Sequence, residues 1–209
     1  MDVLEQIGRL RIVPVVVLES ADDALPLARA LCNGGLPCAE VTFRTAAAAA
    51  SIRAMTEAFP HMLVGAGTVL SPAQVDEAIA AGARFIVSPG LNPHVVEHCQ
   101  AKDILVIPGI VTPTEIEQAL GLGLSVVKFF PAEAFGGLAT IKALAAPYGM
   151  VRFVPTGGVS AANVRAYLDY DRVLACGGSW MVESEMIKAG NFARIEELTR
   201  EAVSLIPLS

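Results

Sequence analysis

Lys128 stands inside an apolar run, SVVKFFPAE at 125–133, with Val126 and Val127 before it and Phe129 and Phe130 after it. Lysine is rarely buried without a partner or a use, and burial disfavours the charged form of an amine. A neutral amine is a nucleophile that attacks carbonyl carbon. A second run, AEVTFRT at 39–45, carries a carboxylate. Strand side chains alternate between faces, so Glu40, Thr42 and Arg44 share one face while Ala39, Val41 and Phe43 take the other. Glu40 facing a desolvated amine makes a nucleophile and general-base pair; a buried ion pair that only holds the fold together is the alternative. Arg44 lies four residues beyond Glu40, about 13 Å along a strand at roughly 3.3 Å per residue. That spacing carries it to the rim, where a guanidinium would grip a substrate carboxylate at two points, although alone it reads as a surface arginine closing a strand. Thr68, in GAGTVL at 65–70, is placed to add a hydrogen bond to the same carboxylate.

Two glycine pairs form another group. PTGGVS at 155–160 places Gly157 and Gly158, and CGGSWM at 176–181 places Gly177, Gly178 and Ser179, each just past an apolar run. A single glycine pair means only a tight turn. Pairs after the seventh and eighth strands of a barrel are where bare backbone amides hold a phosphate.

The elements that must position these residues are legible as an alternation. Short apolar runs occur at 11–18, 38–43, 62–67, 84–88, 104–109, 125–130, 151–155 and 172–176, eight in all, with helix-like stretches between them. Helix starts are signalled by a capping Ser, Thr, Asp or Asn, in several cases followed by Pro: Ser20 or Asp22, Thr45, Ser71-Pro72, Asn92-Pro93, Thr112-Pro113 and Ser160. Gly82, Gly121 and Gly123 stand where helix ends need a left-handed residue. Eight such units in 209 residues predict a (β/α)8 barrel of eight parallel strands with an N-terminal helix, one domain over 1–209. An open doubly wound sheet would carry a glycine fingerprint after its first strand, where this chain has LESADD. Alternate strands supply each interior layer of such a barrel, so the second and sixth runs bring Glu40 and Lys128 face to face.

Composition excludes several classes. Hydrophobic residues are 54% and charged residues 17%, with a mean hydropathy of +0.55, which indicates a large buried fraction rather than disorder. Every apolar run is broken by a charge, Pro or Gly before the roughly 18 residues that a membrane span needs. The first residues, MDVLEQIGRLR, carry Asp2 and Glu5 where a secretory signal would be basic, so a cytoplasmic location is expected. Cys32, Cys38, Cys99 and Cys176 lack CxxC spacing and read as buried free thiols. His94 and His98 share helical spacing but show no acidic partner in register, so they read as a surface pair and no metal is expected. A net charge of −6 argues against a nucleic-acid surface.

EVTFRT, GAGTVL, SPG at 88–90, PG at 108–109, KFFPAE, PTGGVS and GGSW, in this order across nearly the whole chain, closely resemble the 2-keto-3-deoxy-6-phosphogluconate (KDPG) aldolase family, which includes 4-hydroxy-2-oxoglutarate (KHG) aldolase activity. The resemblance implies a (β/α)8 barrel, a homotrimer, a bacterial cytoplasmic role in the Entner–Doudoroff pathway, and class I chemistry with no cofactor and no metal. Lys128 then resembles the Schiff-base lysine and Glu40 the acid/base carboxylate. Arg44 and Thr68 resemble the contacts to the pyruvate carboxylate, and Thr156, Gly157, Gly158, Gly178 and Ser179 the remaining substrate and phosphate contacts. Phe43 stands where many relatives carry Leu, a change expected to narrow the cavity. The 6-phosphogalactonate epimer as main substrate, and a non-catalytic phosphosugar-binding barrel, are the alternatives. A phosphorylated substrate is favoured by the GGS segment, and a lysine in an apolar strand has no use in a mere binding module.

Overall fold

The computed structural model describes residues 2–207. Helices and strands alternate along it: α1 (Val3–Leu10), β1 (Ile12–Val16), a 3₁₀ turn (Ala21–Asp23), α2 (Ala24–Asn33), β2 (Cys38–Thr42), α3 (Ala48–Ala58), β3 (Leu63–Gly67) and α4 (Pro72–Ala80). There follow β4 (Phe85–Val87), α5 (Pro93–Ala101), β5 (Leu105–Ile107), β6 (Gly109–Ile110), α6 (Pro113–Gly121), β7 (Val126–Phe129) and a second 3₁₀ turn (Glu133–Phe135). The last part comprises α7 (Gly137–Ala145), β8 (Arg152–Pro155), α8 (Val164–Leu168), β9 (Cys176–Gly178), α9 (Ser184–Lys188) and α10 (Phe192–Ser204).

All strand pairs are parallel. They form a six-stranded sheet in the order β5-β4-β3-β2-β1-β9 and a three-stranded sheet β6-β7-β8. Between the two, Lys128 N–H donates to the Pro108 carbonyl at 2.8 Å, and isolated bridges join Phe153 to Val173 and Thr156 to Gly177. The result is a curled parallel α/β structure with nine strands among the described residues, where eight apolar runs were counted.

One local cause accounts for the extra strand, and a second shifts the last one. The fifth run splits at Pro108, which has no N–H for a ladder. The eighth run was expected at 172–176, but its ladder to β1 begins only at Cys176, pairing with Ile12. Arg11, in a left-handed conformation at φ 60°, turns its guanidinium onto the carbonyls of Val173 and Leu174 at 2.9 Å each and onto that of Leu168. Those carbonyls are spent on a side chain, and the glycines expected beyond the strand lie within it.

Three of the helix starts expected from the sequence follow capping chemistry. Ser71, Asn92 and Thr112 accept amide protons from Gln74, His94 and Glu115, each with Pro in the first turn. Ser20 caps the 3₁₀ turn rather than α2. Thr45 does not cap α3; its hydroxyl donates to the Leu18 carbonyl. Ser160 does not cap α8, whose N-cap is Asn163. Gly82 and Gly123 are left-handed as expected, but Gly121 is not; it is the last residue of α6.

The core has two layers, as the alternation of strand side chains requires. Ala39, Val41, Val127 and Phe129 belong to the large cluster between strands and helices. Ile7, Val13, Phe85, Val87, Ile107, Val126 and Val154 form a second cluster on the other side of the strands. Ile7, 1% exposed, brings α1 into that inner cluster. No helix among the described residues is long and apolar enough to cross a membrane.

Candidate active site

Lys128 and Glu40 belong to the inner layer. Their side chains meet at 3.3 Å, Lys128 Nζ donating to Glu40 Oε1, and both residues are buried, at 5% and 3% exposure. The wall around them comes from distant parts of the chain. A small cavity beside the pair is lined by Ile7, Val13, Phe85, Val87, Ile107 and Val154, whereas the sequence neighbours Val127 and Phe129 point outward. Only Val126 of the flanking residues joins the inner cluster. Phe130 turns back, its ring centroid 5.1 Å from Lys128 Nζ, a distance at which the ring face attracts an ammonium.

β3 makes room for this arrangement by carrying glycine at two of its inward positions, 65 and 67, while Leu63 packs into the inner cluster. A Cβ on Gly65 would lie 2.4 Å from the Phe85 ring, and one on Gly67 would lie 2.2 Å from Glu40 Oε1. Gly67 therefore presses directly against the carboxylate. The sequence marks GAGTVL as a motif, yet nothing in it says that the glycine's missing side chain is the space Glu40 occupies.

Phe130 also borders a larger cavity of about 310 Å³, which Arg44, Thr156, Gly157, Gly158, Gly178 and Ser179 line together with Val15, Val17, Val159, Val182, Glu183 and Ser184. Six of the residues singled out in the sequence thus share one cavity, and Phe130 joins it to the Lys128–Glu40 pair. Val15 lies beside Glu40 in the β1–β2 register. Glu183 and Ser184, which no sequence motif marked, complete the rim. Arg44 is exposed and pairs with no carboxylate among the described residues, leaving its guanidinium for an anion. Thr42, on the same face, spends its hydroxyl on the Val16 carbonyl at 2.9 Å.

Thr156 is 6% exposed, and its hydroxyl is the one buried side-chain polar atom among the described residues with no hydrogen-bond partner. An unsatisfied buried hydroxyl calls for an explanation, and its position on the cavity wall leaves it free to bond a ligand. Gly177 is kept bare by the same group, since a Cβ there would lie 2.3 Å from Thr156 Oγ1. Gly157 and Gly158 adopt φ 96° and 80°, values that L side chains rarely adopt.

Two residues named from the sequence lie outside both cavities. Thr68 lines neither cavity; it is half-buried after β3 with φ 56°, an outlier for a β-branched residue. Phe43 does not narrow the site, because it packs against the outer core. Of the histidines, His98 does have an acidic partner, Asp76 at 3.0 Å, reached from the neighbouring helix. Lys102 shares that carboxylate at 3.2 Å, which makes it a surface ion-pair cluster.

Residues 3–198 match the family model described as KDPG and KHG aldolase. A 2-dehydro-3-deoxy-phosphogluconate aldolase of Treponema pallidum is 52% identical over 204 residues, covering 98% of this chain and 97% of that protein. The KHG/KDPG aldolase of Escherichia coli K12 is 46% identical over 192 residues, covering 92% of this chain and 90% of that protein. Among solved structures, the KDPG aldolase of Legionella pneumophila, with pyruvate captured as a covalent carbinolamine intermediate, superposes with a TM-score of 0.93 at 40% identity, covering 97% of this chain and 98% of that one.

Proposed function

Because the chain belongs to the KDPG and KHG aldolase family, we propose that it cleaves KDPG to pyruvate and glyceraldehyde 3-phosphate, and KHG to pyruvate and glyoxylate, through a Schiff base on Lys128. The observation that carries this reading is the buried Lys128–Glu40 contact of 3.3 Å, set beside a cavity lined by an unpaired arginine, an unpartnered hydroxyl and two glycine segments.

The chemistry follows from the arrangement. With a proton passed to Glu40, the Lys128 amine attacks the C2 ketone and forms a carbinolamine, which loses water to give an iminium. Glu40 as carboxylate takes the proton of the C4 hydroxyl. The C3–C4 bond breaks, its electron pair moves into the iminium to leave an enamine, and C4 departs as the aldehyde of glyceraldehyde 3-phosphate. Protonation of the enamine carbon and hydrolysis of the iminium release pyruvate and the free amine. The iminium is the electron sink, so no step requires a metal.

Arg44 holds the C1 carboxylate, and Thr68 is assigned to the same group from the family resemblance. Thr156 takes a hydroxyl of the sugar chain, while Gly157, Gly158, Gly178 and Ser179 hold the phosphate with backbone amides and a hydroxyl. A phosphate receiver favours KDPG over KHG as the better substrate.

The same reading takes residues 1–209 as one closed (β/α)8 barrel. The bond across Pro108 and the two isolated bridges support it, with β5 and β6 acting as one strand. A cytoplasmic homotrimer is inferred from the family, and the exposed Leu70 and Phe135 are apolar surface of the kind a subunit contact covers.

A lactate dehydrogenase-coupled assay tests the function. Pyruvate release from KDPG, faster than from KHG or the C4 epimer 2-keto-3-deoxy-6-phosphogalactonate and unchanged in EDTA, is the expected result. A folded sample that releases no pyruvate from any of the three overturns it.

A further inference from the structure

The segment that supplies Gly157 and Gly158 rests on the turn that follows Lys128. Ala132 N–H donates to the Thr156 carbonyl at 2.8 Å and Glu133 N–H to the Gly157 carbonyl at 3.0 Å. Asn163 Nδ2 donates to the Gly158 carbonyl at 3.0 Å. All three carbonyls are thus engaged by protein donors, while the amides of Gly158 and Val159 donate to no backbone acceptor among the described residues. A peptide whose carbonyls are held on one side presents its N–H groups as an anion receiver.

Glu133 does more than donate its amide. A Cβ on Gly158 would lie 2.6 Å from both Cβ and Cγ of Glu133, so the glycine backbone lies flat on the stem of this side chain. The carboxylate at the end of that stem accepts a hydrogen bond from Tyr167 O–H. Tyr167 lies in α8, is 2% exposed, and has its hydroxyl pushed upward in pKa by burial and then by Glu133, so it remains a donor. Gly137, at φ 58°, leaves space for the contact, since a Cβ there would lie 2.7 Å from the tyrosine oxygen and 2.8 Å from Glu133 Oε1. None of these groups touches the Lys128–Glu40 pair.

We propose that Glu133, braced by Tyr167, is a positioning residue that holds the Gly157–Gly158 segment in its anion-receiving conformation and so sets affinity for the phosphate end of the substrate without acting on bond cleavage. The inference rests on the KDPG reading of the cavity. It predicts an effect confined to phosphorylated ligands, because only they use that segment.

The test compares Tyr167→Phe and Glu133→Gln with the unaltered full chain, measuring kcat and KM for KDPG and for unphosphorylated KHG, and inhibition of KHG cleavage by inorganic phosphate. Tyr167→Phe is expected to raise the KDPG KM and the phosphate inhibition constant by roughly tenfold, the effect of one lost hydrogen bond to a charged group, with kcat and the KHG parameters unchanged. Glu133→Gln keeps an acceptor for Tyr167 and the stem beneath Gly158, so it retains most of the affinity. Equal losses on both substrates, or no change in KDPG KM in either variant, overturn the brace. Failure of the unaltered chain to cleave KDPG or to respond to phosphate overturns the functional reading itself, which separates the two outcomes.

Discussion

Glu40 and Lys128 are separated by 88 positions in the chain, yet their side chains meet at 3.3 Å in the buried layer inside the strands. Three strand registers fix the contact. Glu40 lies opposite Gly65 on β3, and Lys128 lies between Gly109 on β6 and Val154 on β8. Each side chain has a bare glycine in a neighbouring strand, which leaves the two polar ends room to meet.

Gly67→Ala is expected to disable the enzyme without unfolding it. The new Cβ would occupy a point 2.2 Å from Glu40 Oε1, so the carboxylate must move by about an ångström, a displacement that typically costs on the order of a hundredfold in rate. Steady-state kinetics together with circular dichroism checks this; a variant with unaltered kcat would show that Glu40 needs no such support.

Thr156→Val separates binding from stability. The Thr156 hydroxyl has no protein partner, so its loss removes no internal hydrogen bond and the melting temperature should stay level or rise. Affinity for KDPG should fall by about tenfold, the worth of one substrate hydrogen bond. Loss of stability alone would assign the hydroxyl a structural role.

Thiol reactivity should follow burial. Desolvation pushes Cys99 up to about 11 and Cys176 up to about 12, and Cys38 higher still, with the Glu40 charge adding to burial. Cys32, half-buried, is raised by burial as well. Fewer thiolates at neutral pH mean slower attack, so a disulfide reagent should modify Cys32 first and the other three only on unfolding. Mass mapping that finds Cys38 or Cys176 labelled in the native protein would contradict the packing described.

The capping box of α6 carries a pH signature. Burial acts to raise the Glu115 carboxyl, but the Val111 amide and the hydroxyl and amide of Thr112 outweigh it and hold the group below the usual carboxylate range. A folded-state pKa below the unfolded value of about 4.3 gives stability that is present above that pH and is lost as pH falls through the folded value. Glu115→Gln should therefore destabilise the chain at neutral pH and converge with the unaltered protein in acid. Thr112→Ala should cost about 1 kcal/mol, read from urea unfolding.

Most strand positions and the meeting of Glu40 with Lys128 were legible, because both follow from the two-residue period and from the curling of a parallel α/β sheet. The wall around the amine was not. SVVKFF suggests that its own valines and phenylalanines enclose Lys128, but the same period sends Val127 and Phe129 outward, and the enclosing groups come from five other elements. Gly67 and Glu133 escaped notice for a related reason: one acts through the absence of a side chain and the other through a contact with Tyr167, and neither leaves a local pattern. Thr45 and Ser160 misled because a hydroxyl before a helix has more than one carbonyl or amide within reach.

The most direct test of Lys128 as the covalent site is reductive trapping. Incubation with pyruvate and borohydride, followed by digestion and peptide mapping, should place a single pyruvate-derived adduct on Lys128, and Lys128→Met should neither trap pyruvate nor cleave KDPG. An adduct on another lysine, or carbon–carbon cleavage retained by a folded Lys128→Met variant, would contradict the account.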